Sequence, residues 1–244
     1  MLPFQIKICG VTDIEGAVCA CQSGADAVGL NFYQPSPRFV EAETALAIAN
    51  SVDDFNQEVD SQGGPKVKKI GVFVDMPVPE MASLAWHIGL DGIQLHGEES
   101  PRLVDSIREH LEQLGHHCFL IRALKSKPAD VQVGDLDQER QRVLHEIDQW
   151  MEKEIDLVLL DAAVPGEYGG TGKVIDLSTI PPLGPDAPIV LAGGLTPRNV
   201  ADAILNSGFR SVDVASGVES APGVKDQQKV NAFVDAAQTA FASL

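Results

Sequence analysis

The sequence predicts an α/β fold of the (β/α)8 class, a single-domain TIM barrel, on three observations. First, strand-like and helix-like segments alternate from end to end, and the roughly eight strands are joined by crossover-length connections, so they run parallel. Second, two late segments, PIVLAGGLTP (188–197) and VDVASGVE (212–219), are each a short apolar run that stops in small residues and is followed by a helix start. A strand ending in glycine lets backbone N–H groups approach a ligand, and the following helix adds its positive end. Two such units in tandem match the phosphate site that forms after strands 7 and 8 of a barrel. Third, no Gly-X-Gly-X-X-Gly follows the first strand, which disfavours an open doubly wound sheet.

Strands are predicted near 5–9, 27–31, 69–74, 92–96, 118–123, 156–161, 188–192 and 211–215. Helices are predicted near 13–23, 41–52, 79–88, 99–114, 138–153, 197–207 and 226–242. Asp13, alone or with Thr12, caps the first helix, and Thr196-Pro197 reads as an N-cap followed by proline at the first helical position. Three stretches read as inserted loops: the polar, glycine-bearing 53–66, the aperiodic 126–140, and 162–175 (AAVPGEYGGTGKVI). One domain, 1–244, is therefore expected, with surface insertions near 53–66 and 126–155.

A chain of 244 residues with 44% hydrophobic content can bury a large core, and it shows neither a membrane-length apolar run nor a leader-like N-terminus. A cytoplasmic protein is expected. Its net charge of −17 argues against nucleic acid and against anionic membrane surfaces as partners. The same charge obliges a site for an anion to carry its own local positive potential. The four cysteines, Cys9, Cys19, Cys21 and Cys118, form neither a disulfide framework nor a zinc pattern, and no metal site is expected.

The candidate chemistry sits at strand ends. In FQIKIC, Lys7 and Cys9 share one face and Ile6 and Ile8 the other, so Lys7 and Cys9 point into the barrel with Cys9 at the rim. A thiol beside a lysine is expected to have a lowered pKa and to serve as nucleophile or base. A buried structural cysteine is the alternative, and the place at the end of strand 1 favours function. Asp161 ends the run IDLVLLD just before the glycine-rich loop. A carboxylate there is costly unless it is hydrogen-bonded or used, a capping role being the alternative. GGTG (169–172) is a weak anion-cradle signal.

His96 ends GIQLHG with Gln94 on its face; it lines a substrate pocket or is a satisfied structural histidine. Arg38, after strand 2, is a candidate carboxylate clamp, with a solvated loop arginine as the alternative. Arg122 shares an inward parity with Leu120. Asp213 points inward if Val212 and Val214 face helices. Strands 1 and 8 are neighbours in a closed barrel, so Lys7 and Asp213 are predicted to form an ion pair under the site.

The motifs KICGVT (7–12), GADAVGLNF (24–32), SPRFV (36–40), GVFV (71–74), IQLHG (93–97), GGTG (169–172), LAGGLTPRNV (191–200) and SGVE (216–219) resemble the phosphoribosylanthranilate isomerase family of tryptophan biosynthesis. The resemblance runs from residue 5 to about 230. It implies an Amadori rearrangement of N-(5′-phosphoribosyl)anthranilate to 1-(2-carboxyphenylamino)-1-deoxyribulose 5-phosphate, an intramolecular oxidoreduction, with neither metal nor cofactor. It implies Asp161 as the general acid that opens the furanose ring, protonated part of the time, and Cys9 as the thiolate base that takes the C2′ proton. It implies Arg38 on the anthranilate carboxylate, and backbone amides of Gly193, Gly194, Ser216 and Gly217 on the phosphate of a small-molecule substrate. His96 joins the substrate-binding set, and a monomer or weak homodimer is expected.

The chain departs from the family where its glycine loop continues as VIDL (174–177) in place of the usual Phe-Asp-Trp, keeping Asp176 but losing both aromatics. Other phosphate-binding barrels fit less well. The paired-aspartate isomerase of histidine biosynthesis needs an aspartate where Cys9 stands, and indole-glycerol-phosphate synthase needs strand-end lysines that are missing here. A non-catalytic phosphate-ligand binder predicts loss of the acid–base pair, and both members are present.

Overall fold

Eight parallel strands close on themselves in sequence order, β8 pairing with β1. They are β1 (Ile6–Cys9), β2 (Ala27–Asn31), β3 (Lys68–Phe73), β4 (Gly92–Leu95), β5 (Phe119–Lys125), β6 (Leu157–Asp161), β7 (Ile189–Ala192) and β8 (Val212–Val214). The helices are α1 (Ile14–Gln22), α2 (Ala42–Asp60), α3 (Val78–Ile88), α4 (Leu103–Gln113), α5 (Val133–Met151), α6 (Val200–Ser207) and α7 (Gln227–Phe241). The structure is a computed structural model that describes residues 2–61, 63–125, 133–161, 177, 180–181, 183–184 and 187–244. The expected glycine loop with GGTG and Asp176 lies outside the described residues.

Alternation along the strands sorts the core into two layers. Phe4, Ala27, Ile70, Ile121, Ala123, Leu157, Leu159, Val190 and Ala192 fill the barrel interior. Ile6, Ile8, Val28, Leu30, Ile93, Leu120 and Leu124 face the helices, where α7 packs Val230, Phe233, Val234 and Ala237 at helical spacing. The predicted parity of β1 holds. That of Arg122 does not: Ile121 and Ala123 turn inward, and the Arg122 guanidinium lies outside, 4.8 Å above the Trp150 ring of α5. Among the described residues no helix is long and apolar enough to cross a membrane.

Three other expectations are corrected. The stretch 53–60 is not a loop, because α2 runs on to Asp60. The half-buried Phe55 and Val59 extend the buried stripe of Ile48 and Val52 at helical spacing, while the Asp53 side chain reaches Lys69 at 2.6 Å. Helix α5 starts at Val133, before the 138 expected for it, so the loop expected over 126–140 ends earlier. Helix α6 begins at Val200 and not at Pro197. Thr196 closes the turn before it: its Oγ1 accepts from Arg198 N at 3.3 Å, its carbonyl accepts from Asn199 and Val200, and its own N–H donates to Asn199 Oδ1 at 2.7 Å. The capping role of Asp13 is as expected, its Oδ1 accepting from Gly16 N at 2.7 Å.

The helix start expected directly after β8 is a short 3₁₀ turn, Ser216–Val218. A two-stranded hairpin follows, β9 (Glu219–Ala221) with β10 (Val224–Lys225), and only then α7. This hairpin returns Glu219 and Lys225 toward the C-terminal end of β1, a placement that matters below.

Candidate active site

The C-terminal ends of the strands enclose a cavity of about 600 Å³, and all eight predicted site residues line it: Cys9, Arg38, His96, Asp161, Gly193, Gly194, Ser216 and Gly217. Cys9 and Asp161, the last residues of β1 and β6, thus face one volume from different sectors of the rim. Lys125 ends β5 in register with Asp161 and borders the same space.

Beneath Cys9, Lys7 is completely buried. The predicted ion pair is present: Lys7 Nζ lies 3.1 Å from Asp213 Oδ2, on strands whose register pairs the two residues directly. Lys7 also donates to Gln94 Oε1 at 2.8 Å. Burial works against the ammonium charge, but Asp213 and the Cys9 sulfur outweigh it and its pKa is raised. The expected lowering of the Cys9 pKa is not found. Burial, seconded by the Asp213 carboxylate, pushes the thiol up, against the opposing pull of Lys7 and Lys225.

Gly29, beside Cys9 on β2, makes room for this pair: a Cβ there would sit 2.7 Å from Cys9 Sγ and 3.1 Å from Lys7 Cε. In the loop after β7, Gly193 and Gly194 hold φ values of +89° and +62°. A side chain at Gly217 would collide with the Leu195 carbonyl, so the loops after β7 and β8 touch through backbone alone.

Arg38 reaches the cavity already tethered. Its Nε and Nη2 donate to Glu219 Oε1 and Oε2 at 2.8 and 2.7 Å, a side-on fork. Lys225 Nζ binds Glu219 Oε1 at 2.8 Å and donates to the Cys9 carbonyl at 2.6 Å. The hydrogen bonds to Glu219 chiefly raise the Arg38 pKa. Burial alone would push Glu219 upward, but Arg38 and Lys225 hold its carboxyl below the ordinary range. Sequence reasoning missed this Glu219–Lys225 element. Its members lie 181 residues or more from the groups they serve, and although Glu219 closes the SGVE motif, nothing local shows what it or Lys225 binds.

His96 Nδ1 lies 2.8 Å from Gln94 Nε2, and burial first, then Lys7, Lys125 and Arg122, lowers its pKa to about 4. Behind it, Glu99 accepts from the Asp75 and Gly97 amides at 2.9 and 2.8 Å and pairs with Arg122 at 2.5 Å. That buried pair ties together the loops after β3 and β4. Among the described residues no group of His, Cys, Asp and Glu could hold a metal ion.

A closed barrel with a carboxyl group, a thiol, an arginine and two glycine-bearing loops at one mouth suits proton transfer on a small molecule. The family model described as N-(5'phosphoribosyl)anthranilate (PRA) isomerase matches residues 6–236. The N-(5'-phosphoribosyl)anthranilate isomerase of Rubrobacter xylanophilus is 40% identical over 96% of this chain and 99% of its own, and that of Acinetobacter calcoaceticus is 35% identical over 96% of each. The crystal structure of phosphoribosyl anthranilate isomerase from Thermotoga maritima superposes with a TM-score of 0.72, at 31% identity, covering 98% of this chain and 100% of that one. A further phosphoribosyl anthranilate isomerase structure, at 29% identity, a TM-score of 0.69 and the same coverage, is a complex with reduced 1-(o-carboxyphenylamino)-1-deoxyribulose 5-phosphate. The chain belongs to the N-(5'-phosphoribosyl)anthranilate isomerase family.

Proposed function

We propose that the protein converts N-(5′-phosphoribosyl)anthranilate to 1-(2-carboxyphenylamino)-1-deoxyribulose 5-phosphate, a step of tryptophan biosynthesis, with Asp161 as general acid and Cys9 as general base. The observation that carries the reading is the meeting of Cys9, Asp161, Arg38 and the glycine pair 193–194 in one cavity. Asp161 gives a proton to the ring oxygen as the C1′–O bond breaks and the anilino nitrogen forms the imine. Cys9, as thiolate, takes the C2′ proton, and the electron pair shifts to give the enolamine. Protonation at C1′ and loss of the hydroxyl proton then yield the ketone, so no net proton or electron is consumed.

The phosphate rests on amides of Gly193, Gly194, Ser216 and Gly217. The anthranilate carboxylate takes the end-on edge of Arg38, since Glu219 occupies the side-on edge. A thiol pushed up by burial is a scarce but strong base when it ionises, and Lys7 and Lys225 limit the cost of ionising it. The four free cysteines favour a reducing, cytoplasmic setting.

The test is turnover by the purified protein of N-(5′-phosphoribosyl)anthranilate, together with complementation of a tryptophan auxotroph that lacks this isomerase. Growth and product formation are expected without added metal or cofactor. A folded protein that neither complements nor turns over would defeat the proposal.

A further inference from the structure

Gln94 is 1% exposed and stands between two groups that together leave it no freedom. On one side Lys7 Nζ lies 2.8 Å away. An ammonium only donates, so the amide atom facing it is the oxygen, and the NH2 group faces His96 Nδ1 at 2.8 Å. An NH2 group only donates, so Nδ1 is an acceptor and carries no proton. Lys7 cannot release the amide, because it is itself buried and anchored by Asp213 at 3.1 Å. Nε2, on the far side of the ring, meets no partner among the described residues, and the ring borders the cavity.

We propose that Gln94, pinned by Lys7, is a positioning residue that fixes His96 as the neutral Nε2–H tautomer, so that the ring offers the cavity a hydrogen-bond donor and not a base. The relay Asp213–Lys7–Gln94–His96 runs from β8 through β1 to the end of β4, across the barrel floor beneath the site. Protonating His96 would set Nδ1–H against the amide NH2, which has nowhere to turn. The cations whose charge reaches the ring, Lys7 on β1 and Lys125 and Arg122 on β5, act in the same direction. Of the carboxylates bordering the cavity, Asp161 and Asp213 end or belong to β6 and β8, whereas Asp75 and Glu98 lie on the ring's own side, where Asp75 Oδ1 accepts from Glu98 N at 2.8 Å, and Glu99 behind them is paired with Arg122. The ligand chemistry that fits is an oxygen acceptor, and under the proposed function this is a carboxylate, hydroxyl or phosphate oxygen of the substrate. Only that identity rests on the proposed function; the tautomer does not.

The experiment is nitrogen-15 NMR of the histidine ring in the full-length, ligand-free protein, with His96→Asn identifying the signals by their loss. Nδ1 is expected to resonate as an unprotonated, pyridine-type nitrogen and Nε2 as a protonated, pyrrole-type nitrogen, unchanged across the neutral pH range. In Gln94→Glu the carboxylate keeps Lys7 but accepts from Nδ1, so Nδ1 should become protonated and the ring should titrate at least about one pH unit higher. A residue that merely filled space would move neither signal. Nδ1 protonated in the wild type, or ring signals identical in Gln94→Glu, would overturn the inference. If Gln94→Glu fails to fold, the wild-type spectrum still decides. Absence of turnover would count against the proposed function and leave the tautomer standing.

Discussion

At the scale of single residues, the site is decided by which partner each charge already has. Glu219, held by Lys225, takes the Nε edge of Arg38 and fixes the plane of the fork, which leaves the other edge for the carboxylate clamp we propose. Arg38→Ala should therefore raise KM by about 10–100-fold, the equivalent of about 1.5–3 kcal/mol for a charged hydrogen-bonded contact, with a smaller loss in kcat. Glu219→Gln should move KM in the same direction by less, since the amide retains one acceptor. Steady-state kinetics on both variants check this, and an unchanged KM in Arg38→Ala would remove the clamp. That Cys9 and Asp161 line the cavity was legible from their strand-end positions, and Arg38 from its residue type in the loop after β2. Glu219 and Lys225 were not, because a hairpin inserted after β8 carries them back to β1. The Cys9 shift was misjudged because its sign depends on Asp213 and on burial, both remote in sequence.

At the scale of elements, strand order, strand ends and the parity of β1 could all be read from the sequence, since one face is apolar and the other carries Lys7 and Cys9. β5 gave no such contrast. With Leu120, Ile121, Ala123 and Leu124 around Arg122, both faces are apolar, and only the tertiary contact with Trp150 settles which side the arginine takes. The end of α2 was misread because Asp53 and Asp54 resemble a loop opening, although Ile48, Val52, Phe55 and Val59 keep the helical period. The β1–β2 seam supplies the test at this scale. Gly29→Ala puts a methyl 2.7 Å from Cys9 Sγ, so overpacking of about 1–3 kcal/mol is expected, together with a fall in kcat as the thiol is displaced. Thermal melts and turnover measure both, and wild-type values for each would refute the close packing.

For the whole molecule, a net charge of −17 contrasts with a mouth where Arg38 and Lys125 line the cavity and Lys7 and Lys225 lie beneath it. Asp75, Glu98, Asp161 and Asp213 border the same cavity, so any positive potential for the proposed phosphate and carboxylate must come from these cations locally and not from the wall as a whole. The Lys7–Asp213 pair also closes the barrel, joining the first strand to the last. Lys7→Met strands a buried carboxylate and should cost about 3–5 kcal/mol, a fall in Tm of roughly 6–20 °C for a chain this size. Lys7→Met with Asp213→Leu should recover much of that loss. Calorimetry of the two variants decides, and a Lys7→Met protein as stable as wild type would show that the pair closes nothing.

The central claim is that Cys9 and Asp161 act as one acid–base unit on a single bound substrate. A double-mutant cycle in kcat with Cys9→Ser, Asp161→Asn and the combination tests it most directly. Each single change is predicted to lower kcat by about 10²–10⁴-fold. The double variant should be little worse than the poorer single. Near-wild-type turnover in either single variant, or losses that multiply in full, would contradict the account.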